Sequence, residues 1–321
     1  MHFSKEELLT AADLVNQVVP PTQQYAWPLL ATHAGCQVWV KHENHTPTGA
    51  FKIRGGVVYM HALKQREPRC NGVITATTGN HGQSVAVAAN AANLQSIVVV
   101  PEGNNSGKNR AMAAQGAELI VYGTDFHEAS DHAKTMAVDR NLHMIPSFHA
   151  DLVKGVASYA LELFKNVDPL DCIYAPVGLG TGLCGLISAR NALNLSTELV
   201  GVQSEGAPCY ALSFAAQKPI STNRVDTFAA GIATRVPDPQ AVDLINKNAA
   251  RIVTVSDQEI LRAQAYLLRD THNLSEPAGA AAYAALLQER EQMKSKRVAV
   301  ILSGGNADVE NVRAITNVEL D

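Results

Sequence analysis

The segment "HTPTGAFKIRGG", His45 to Gly56, places one lysine, Lys52, between Pro-Thr-Gly-Ala-Phe and Arg-Gly-Gly. A lysine amine condenses with an aldehyde to form a Schiff base, so a lysine beside an aromatic residue and several glycines can do covalent chemistry. Three further segments end predicted strands with small or polar residues. "GVITATTGNHGQSV" delivers Thr77, Thr78, Gly79, Asn80 and His81 to the start of a predicted helix. Free N–H groups at such a start suit an anion, although Thr and Asn are also common in ordinary caps. "CIYAPVGLGTGLCG" delivers Gly178, Leu179, Gly180, Thr181 and Gly182, where the backbone can close around a phosphate. The same glycines, Gly180-x-Gly182-x-x-Gly185, with Glu205 after the next strand, also match a dinucleotide fingerprint. "RVAVILSGGN" brings the Ser303 hydroxyl to a strand tip backed by two glycines.

Other signals do not hold together. "GNNSGKN" around Lys108 is short of a phosphate-binding Walker loop, and His127 and His132 stand five apart rather than four. The eleven histidines form no metal-ligand cluster, and no resident metal is expected. Of 321 residues, 46% are apolar and 17% charged, with a net charge of −4. That balance excludes a basic nucleic-acid-binding face. Five scattered cysteines make no framework for disulfides or zinc, which fits a reducing cytoplasm. Ser4 and Glu7 read as a capping box opening an amphipathic helix rather than as part of a signal peptide, and no apolar run is long enough to span a membrane.

These residues need elements to hold them. Nine β-branched runs alternate with alanine-rich helical segments: residues 36–41, 72–77, 96–100, 117–123, 143–147, 172–177, 198–204, 251–256 and 297–303. Alternation of this kind predicts parallel sheets covered by helices, with ligands beyond the carboxyl ends of the strands. The glycines Gly55 and Gly56 are read as a turn that brings the chain close to a ligand.

A lysine for an aldehyde, a glycine loop for a phosphate and a hydroxyl for a ring nitrogen together suit pyridoxal 5'-phosphate. The ordered motifs "KHENHTPTGAFKIRGG", "TTGNHGQSVA", "PEGNNSGKNRAMAAQGAEL", "EPAGAAA" and "SGGN" resemble the fold-type II pyridoxal-phosphate enzymes, in particular the threonine/serine dehydratase (ammonia-lyase) and serine racemase group. The wording of the lysine motif also resembles hydroxyectoine-utilisation dehydratases. The resemblance implies an α/β fold like the tryptophan synthase β chain, with two parallel-rich twisted sheets. It implies a large cofactor-binding domain, 1–45 plus 149–321, a small mobile domain, 46–148, and a homodimer.

The resemblance also implies residue roles. Lys52 would bind the cofactor and later move the Cα proton. Phe51 and Gly231 would flank the ring, Asn80 would meet its 3-hydroxyl, and Ser303 its nitrogen. Thr77, Thr78, Gly79, Asn80 and His81 would hold the substrate carboxylate. Glu276 is expected to support the site from behind. The implied reaction is β-elimination of a threonine- or serine-like hydroxy amino acid to a 2-keto acid and ammonia. Racemisation, with Thr78 returning a proton opposite Lys52, is the alternative, as is a specialised substrate such as 3-hydroxyaspartate met by Arg235. An NAD-binding protein is the reading outside this class. The acids of a related cation site are replaced by Gln203 and Pro208, with Glu205 nearby.

Overall fold

The structure is a computed structural model that describes residues 1–167 and 169–320. The helices are α1 (Lys5–Asn16), α2 (Pro28–Ala34), α3 (Lys52–Arg66), α4 (Asn80–Ala91), α5 (Ser106–Ala114), α6 (Phe126–Asp139), α7 (Ala150–Asn166), α8 (Thr181–Ala192), α9 (Cys209–Ala216), α10 (Pro239–Asn248), α11 (Asp257–Thr271), α12 (Pro277–Gln288) and α13 (Val309–Thr316). The strands are β1 (Gln24–Ala26), β2 (Gln37–His42), β3 (Gly72–Ala76), β4 (Gln95–Val100), β5 (Glu118–Val121), β6 (His143–Met144), β7 (Cys172–Pro176), β8 (Glu198–Ser204), β9 (Arg251–Val255) and β10 (Arg297–Leu302).

Six strands form one sheet in the order β1-β2-β10-β7-β8-β9, and four form another in the order β5-β4-β3-β6. All neighbours run parallel except β1 with β2. The central strands β10 and β7 of the larger sheet are apolar along nearly their whole length and buried on both faces, as parallel strands covered by helices are. Along β10, Ala299 and Ile301 face α7 and α8, with Tyr159, Leu183 and Ile187. Val298, Val300 and Leu302 face the other way, toward Leu30 of α2, Leu267 of α11 and Tyr283 of α12. The period of two sorts one strand into two cores. In the smaller sheet, Ile97 and Val99 meet Ala129 and Ala133 of α6. Val98 and Val100 meet Ala86 and Met112 on the opposite face. The first helix carries the expected capping box, with Ser4 and Glu7 exchanging hydrogen bonds. It packs beside both sheets: Leu8 joins the α7–α8 core, while Ala11 and Val15 pack with α3 and β3.

Each predicted strand is present. The run 143–147 shrinks to His143–Met144, because Pro146 has no N–H to donate to a ladder. The antiparallel β1 was not predicted; three residues are too few for a periodic signal. One expectation is overturned. Gly55 and Gly56 do not turn the chain; they lie inside α3. A Cβ on Gly55 would stand 2.8 Å from the carbonyl oxygen of Leu152 in α7. One on Gly56 would stand 2.5 Å from Oγ of Ser84 in α4. The glycines let three helices approach closely, and their helix-propensity cost of about 1 kcal/mol each is offset by that packing. Among the described residues, no helix is long and apolar enough to cross a membrane.

Candidate active site

The lysine segment and the Ser303 segment are joined through their backbones. Thr46 to Gly49 form a turn in which Gly49 N–H donates to Thr46 O at 2.9 Å, and Gly49 has φ +67°. Thr46 Oγ1 then accepts from Ala50 N–H at 2.9 Å. Ala50 bridges Gly304 in antiparallel fashion, Phe51 N–H donates to Ser303 O at 3.1 Å, and Gly305 N–H donates to Gly49 O at 2.8 Å. Residues some 250 positions apart are thus held as neighbours by backbone hydrogen bonds rather than by side-chain contacts. Lys52 opens α3, directly after this clasp. Its carbonyl accepts from Ser84 Oγ at 2.7 Å, and its Nζ lies 4.8 Å from the centre of the Phe51 ring.

Burial lowers the Lys52 pKa, opposed by the nearby Glu276 carboxylate. The cause is desolvation, which disfavours the ammonium. The result is an amine with more of its neutral, nucleophilic form at working pH. Glu276 is 7% exposed, and burial raises its pKa against the pull of Lys108, Asn80 and Lys52. Asn80 Nδ2 donates to Glu276 Oε1 at 2.7 Å. Asn306 Nδ2 donates to Asn80 Oδ1 at 2.8 Å and to Thr48 O at 2.9 Å. Asn80 is therefore fixed from both ends of its amide. Sequence reasoning placed Glu276 behind the site, and it does bond Asn80; Asn306 and Lys108 were missed. Both line a cavity of about 570 Å³ together with Gly231, Phe228 and Glu276.

The glycine loop follows β7. Gly180 has φ +94°, a conformation that glycine adopts without penalty, and it caps α8 with no side-chain bond. The helix-terminal N–H groups are thus left without a capping side chain. Tyrosines secure the loop on two sides. Tyr159 donates to Gly182 O and Tyr210 to Leu179 O, each at 2.8 Å. No motif announced either tyrosine. Phe51 meets the Tyr159 ring edge-on at 6.2 Å, and its Cζ lies 3.5 Å from where a Cβ on Gly182 would be. A Cβ on Gly178 would stand 2.4 Å from Gly231 O, so the loop and Gly231 also adjoin. The third fingerprint glycine, Gly185, serves packing: its Cβ would lie 3.0 Å from Val156 Cγ1 in α7.

The loop after β3 leads into α4, which likewise has no side-chain cap. Thr77 is buried and its Oγ1 accepts from Gly79 N–H at 3.2 Å, whereas Thr78 is exposed. Ser303 is 6% exposed. Arg235 is engaged by His127, with Nη2 3.1 Å from Nε2. Gln203 accepts from the N–H groups of Tyr210 and Ala211 at 2.8 and 3.0 Å, so its amide caps α9. Among the described residues no group of three or more His, Cys, Asp or Glu side chains could hold a metal.

Arg54, which no sequence argument explained, is fully buried beneath the lysine. It donates to Glu43 at 2.7 and 3.0 Å, to Glu162 at 2.6 and 3.0 Å, and to Ser158 at 3.1 Å. Lys41 Nζ completes the cluster at 2.6 Å from Glu162. The two cations hold the Glu43 carboxyl below its ordinary pKa despite complete burial. The cluster ties α3 to α7 and to the end of β2.

The family described as pyridoxal-phosphate dependent enzyme matches residues 15–304. The L-threo-3-hydroxyaspartate ammonia-lyase of Saccharomyces cerevisiae is 29% identical over 98% of this chain and 97% of its own. The L-threonine ammonia-lyase of Thermotoga maritima is 30% identical over 97% of this chain and 78% of its own. The solved structure of processed threonine deaminase isoform 2 from Solanum lycopersicum superposes with a TM-score of 0.90 at 27% identity, covering 98% of this chain and 94% of that one.

Proposed function

Since the chain belongs to the family of pyridoxal-phosphate dependent enzymes, we propose that it removes the β-hydroxyl and then the amine of a serine- or threonine-like amino acid, giving a 2-keto acid and ammonia. The observation that carries this reading is the clasp that sets Phe51, the residue before Lys52, beside Ser303 and against the glycine loop. The relatives named above are ammonia-lyases that act on hydroxy amino acids, as their names state.

The residues fit the cofactor. Gly178 to Gly182 with the uncapped start of α8 would take the phosphate, because oriented N–H groups and the helix dipole favour an anion. Lys52, with its lowered pKa, would take the aldehyde. Phe51 and the exposed Gly231 would lie on the two faces of the ring, Asn80 would meet its 3-hydroxyl, and Ser303 its nitrogen. Bound there, pyridoxal phosphate supplies an electron sink for charge developing at the substrate Cα. Ser303 offers a neutral hydroxyl, which does not hold a proton on the ring as a carboxylate would. That favours prompt loss of the leaving group over a long-lived carbanion.

Lys52 Nζ takes the Cα proton, and the start of α4 with Thr77 to His81 holds the substrate carboxylate. Thr78 is exposed, and a stereospecific proton donor needs a fixed hydroxyl, so elimination stands ahead of racemisation. We read residues 46–148 as the smaller unit, closing over the substrate and expelling water. Asn80–Glu276, Asn80–Asn306, Asn105–Asp308 and His127–Arg235 are among the side-chain bonds that would break on opening. A cytoplasmic homodimer is part of the same reading, and sedimentation of the holoenzyme checks the dimer.

The test is keto-acid release from L- and D-serine, threonine, 3-hydroxyaspartate and phenylserine, with chiral analysis of leftover substrate. We expect keto acid from at least one, and loss of both turnover and the visible absorption of bound cofactor in Lys52→Ala. Cofactor absorption in the wild type without keto acid from any of them would sink the elimination reading.

A further inference from the structure

Among the described residues, five buried side-chain atoms make no hydrogen bond: Trp39 Nε1, His42 Nδ1, Asn44 Oδ1, His81 Nε2 and Ser275 Oγ. Buried polar groups are nearly always paired, so each asks for a partner. Only His81 belongs to the helix whose side chain is bonded to Lys52. Ser84, three residues on, donates to Lys52 O at 2.7 Å. Positions i and i+3 share a helix face, so His81 stands on the face of α4 that is turned to the lysine. Gly82 keeps that face in place: a Cβ there would lie 2.3 Å from Met112 Sδ and 2.7 Å from Thr77 Cγ2.

We propose that His81 Nε2 is a specificity-determining group that hydrogen-bonds the hydroxyl on the substrate Cβ and aligns it for departure. This rests on the elimination reading above. The bond is a contact and no proton is transferred to or from the ring. The carboxylate has a better partner in the uncapped start of α4, where charge meets the helix dipole. An uncharged hydroxyl suits an uncharged imidazole. Burial holds His81 at about 4, and the neighbouring Lys52 pushes it the same way, so the ring is neutral under working conditions. A neutral ring can donate or accept without adding charge to a site that already handles a lysine and a phosphate.

The test compares L-serine with β-chloro-L-alanine in holoenzymes carrying His81→Leu or His81→Gln. Chloride leaves without a hydrogen bond to oxygen, so it does not need the group. We expect kcat/KM of His81→Leu for serine to fall about tenfold or more beyond its fall for chloroalanine, the equivalent of one lost hydrogen bond. His81→Gln, whose amide can replace the contact, should recover much of that difference. Binding of L-alanine, followed by cofactor absorption, should change far less than serine turnover. Equal losses on both substrates would overturn the proposal. So would alanine affinity falling in step with serine turnover, which would assign the His81 ring, and not its backbone alone, to the carboxylate. A His81→Leu chain that takes up no cofactor while His81→Gln does would also overturn it, by assigning the ring to the cofactor. If the wild type acts on neither substrate, elimination fails instead.

Discussion

Asn80 Nδ2 donates to Glu276 Oε1 at 2.7 Å, joining the first residue of α4 to the residue that precedes α12. The first element flanks the smaller sheet and the second covers the larger. Glu276→Ala should leave Asn80 held by Asn306 alone. A lost hydrogen bond to a charged group corresponds to about 10- to 100-fold in kcat/KM. Glu276→Gln keeps an acceptor oxygen and should lose less. Steady-state kinetics of the two variants checks the order; a Glu276→Ala enzyme equal to wild type would remove Glu276 from any positioning role.

Arg54→Ala would strand Glu43, which is completely buried, and leave Glu162 paired with Lys41 alone. Breaking a buried pair in this way costs about 3–5 kcal/mol. Urea unfolding should show that loss. Replacing Arg54, Lys41, Glu43 and Glu162 together by methionine should recover much of it, because no charge of the cluster is then left buried without a partner. Similar stabilities for the single and quadruple variants would contradict the account.

Gly155→Ala should harm the fold more than Gly56→Ala. The new methyl at 155 would stand 2.3 Å from the backbone oxygen of Arg54, which cannot rotate away. At 56 the obstacle is the Ser84 hydroxyl, a movable side-chain atom. Overpacking costs typically about 1–3 kcal/mol, and Gly155 should reach or pass the upper figure. Thermal unfolding of the two variants decides the order.

His42 is fully buried, accepts from Trp27 Nε1 at 3.0 Å, and is held at about 4 from its ordinary 6.5 by burial and by His45. The unfolded chain therefore binds more protons between those pH values, and stability falls as pH drops from 6.5 to 4. The contribution from His42 is on the order of 3 kcal/mol. His42→Gln keeps an acceptor but does not titrate, so its stability should fall less steeply over that window. Parallel curves for variant and wild type would refute the assignment.

Much of this protein was legible in its sequence because the signals are local. Strand periodicity named every strand of the larger sheet except β1, and "EPAGAAA" and "SGGN" stood at strand or helix boundaries that the structure reproduces. The candidate residues Lys52, Gly178–Gly182 and Ser303 could be chosen because amine, glycine backbone and hydroxyl each suit one part of a single cofactor. What the chain could not disclose were relations across long separations. Gly55 and Gly56 looked like a turn because glycine favours turns in isolation; only the approach of α4 and α7 makes them helix-packing residues.

Lys52, its neighbouring Phe51 and the glycine loop were determined by the sequence, since covalent reactivity and backbone freedom are properties of residue types. The tertiary structure decided the rest. It set Ser303 beside Phe51 by a backbone bond, gave Arg54 its two carboxylates, and left one nitrogen of His81 without a partner on the helix face nearest the lysine. Those are consequences of burial and distance, which no local spacing encodes.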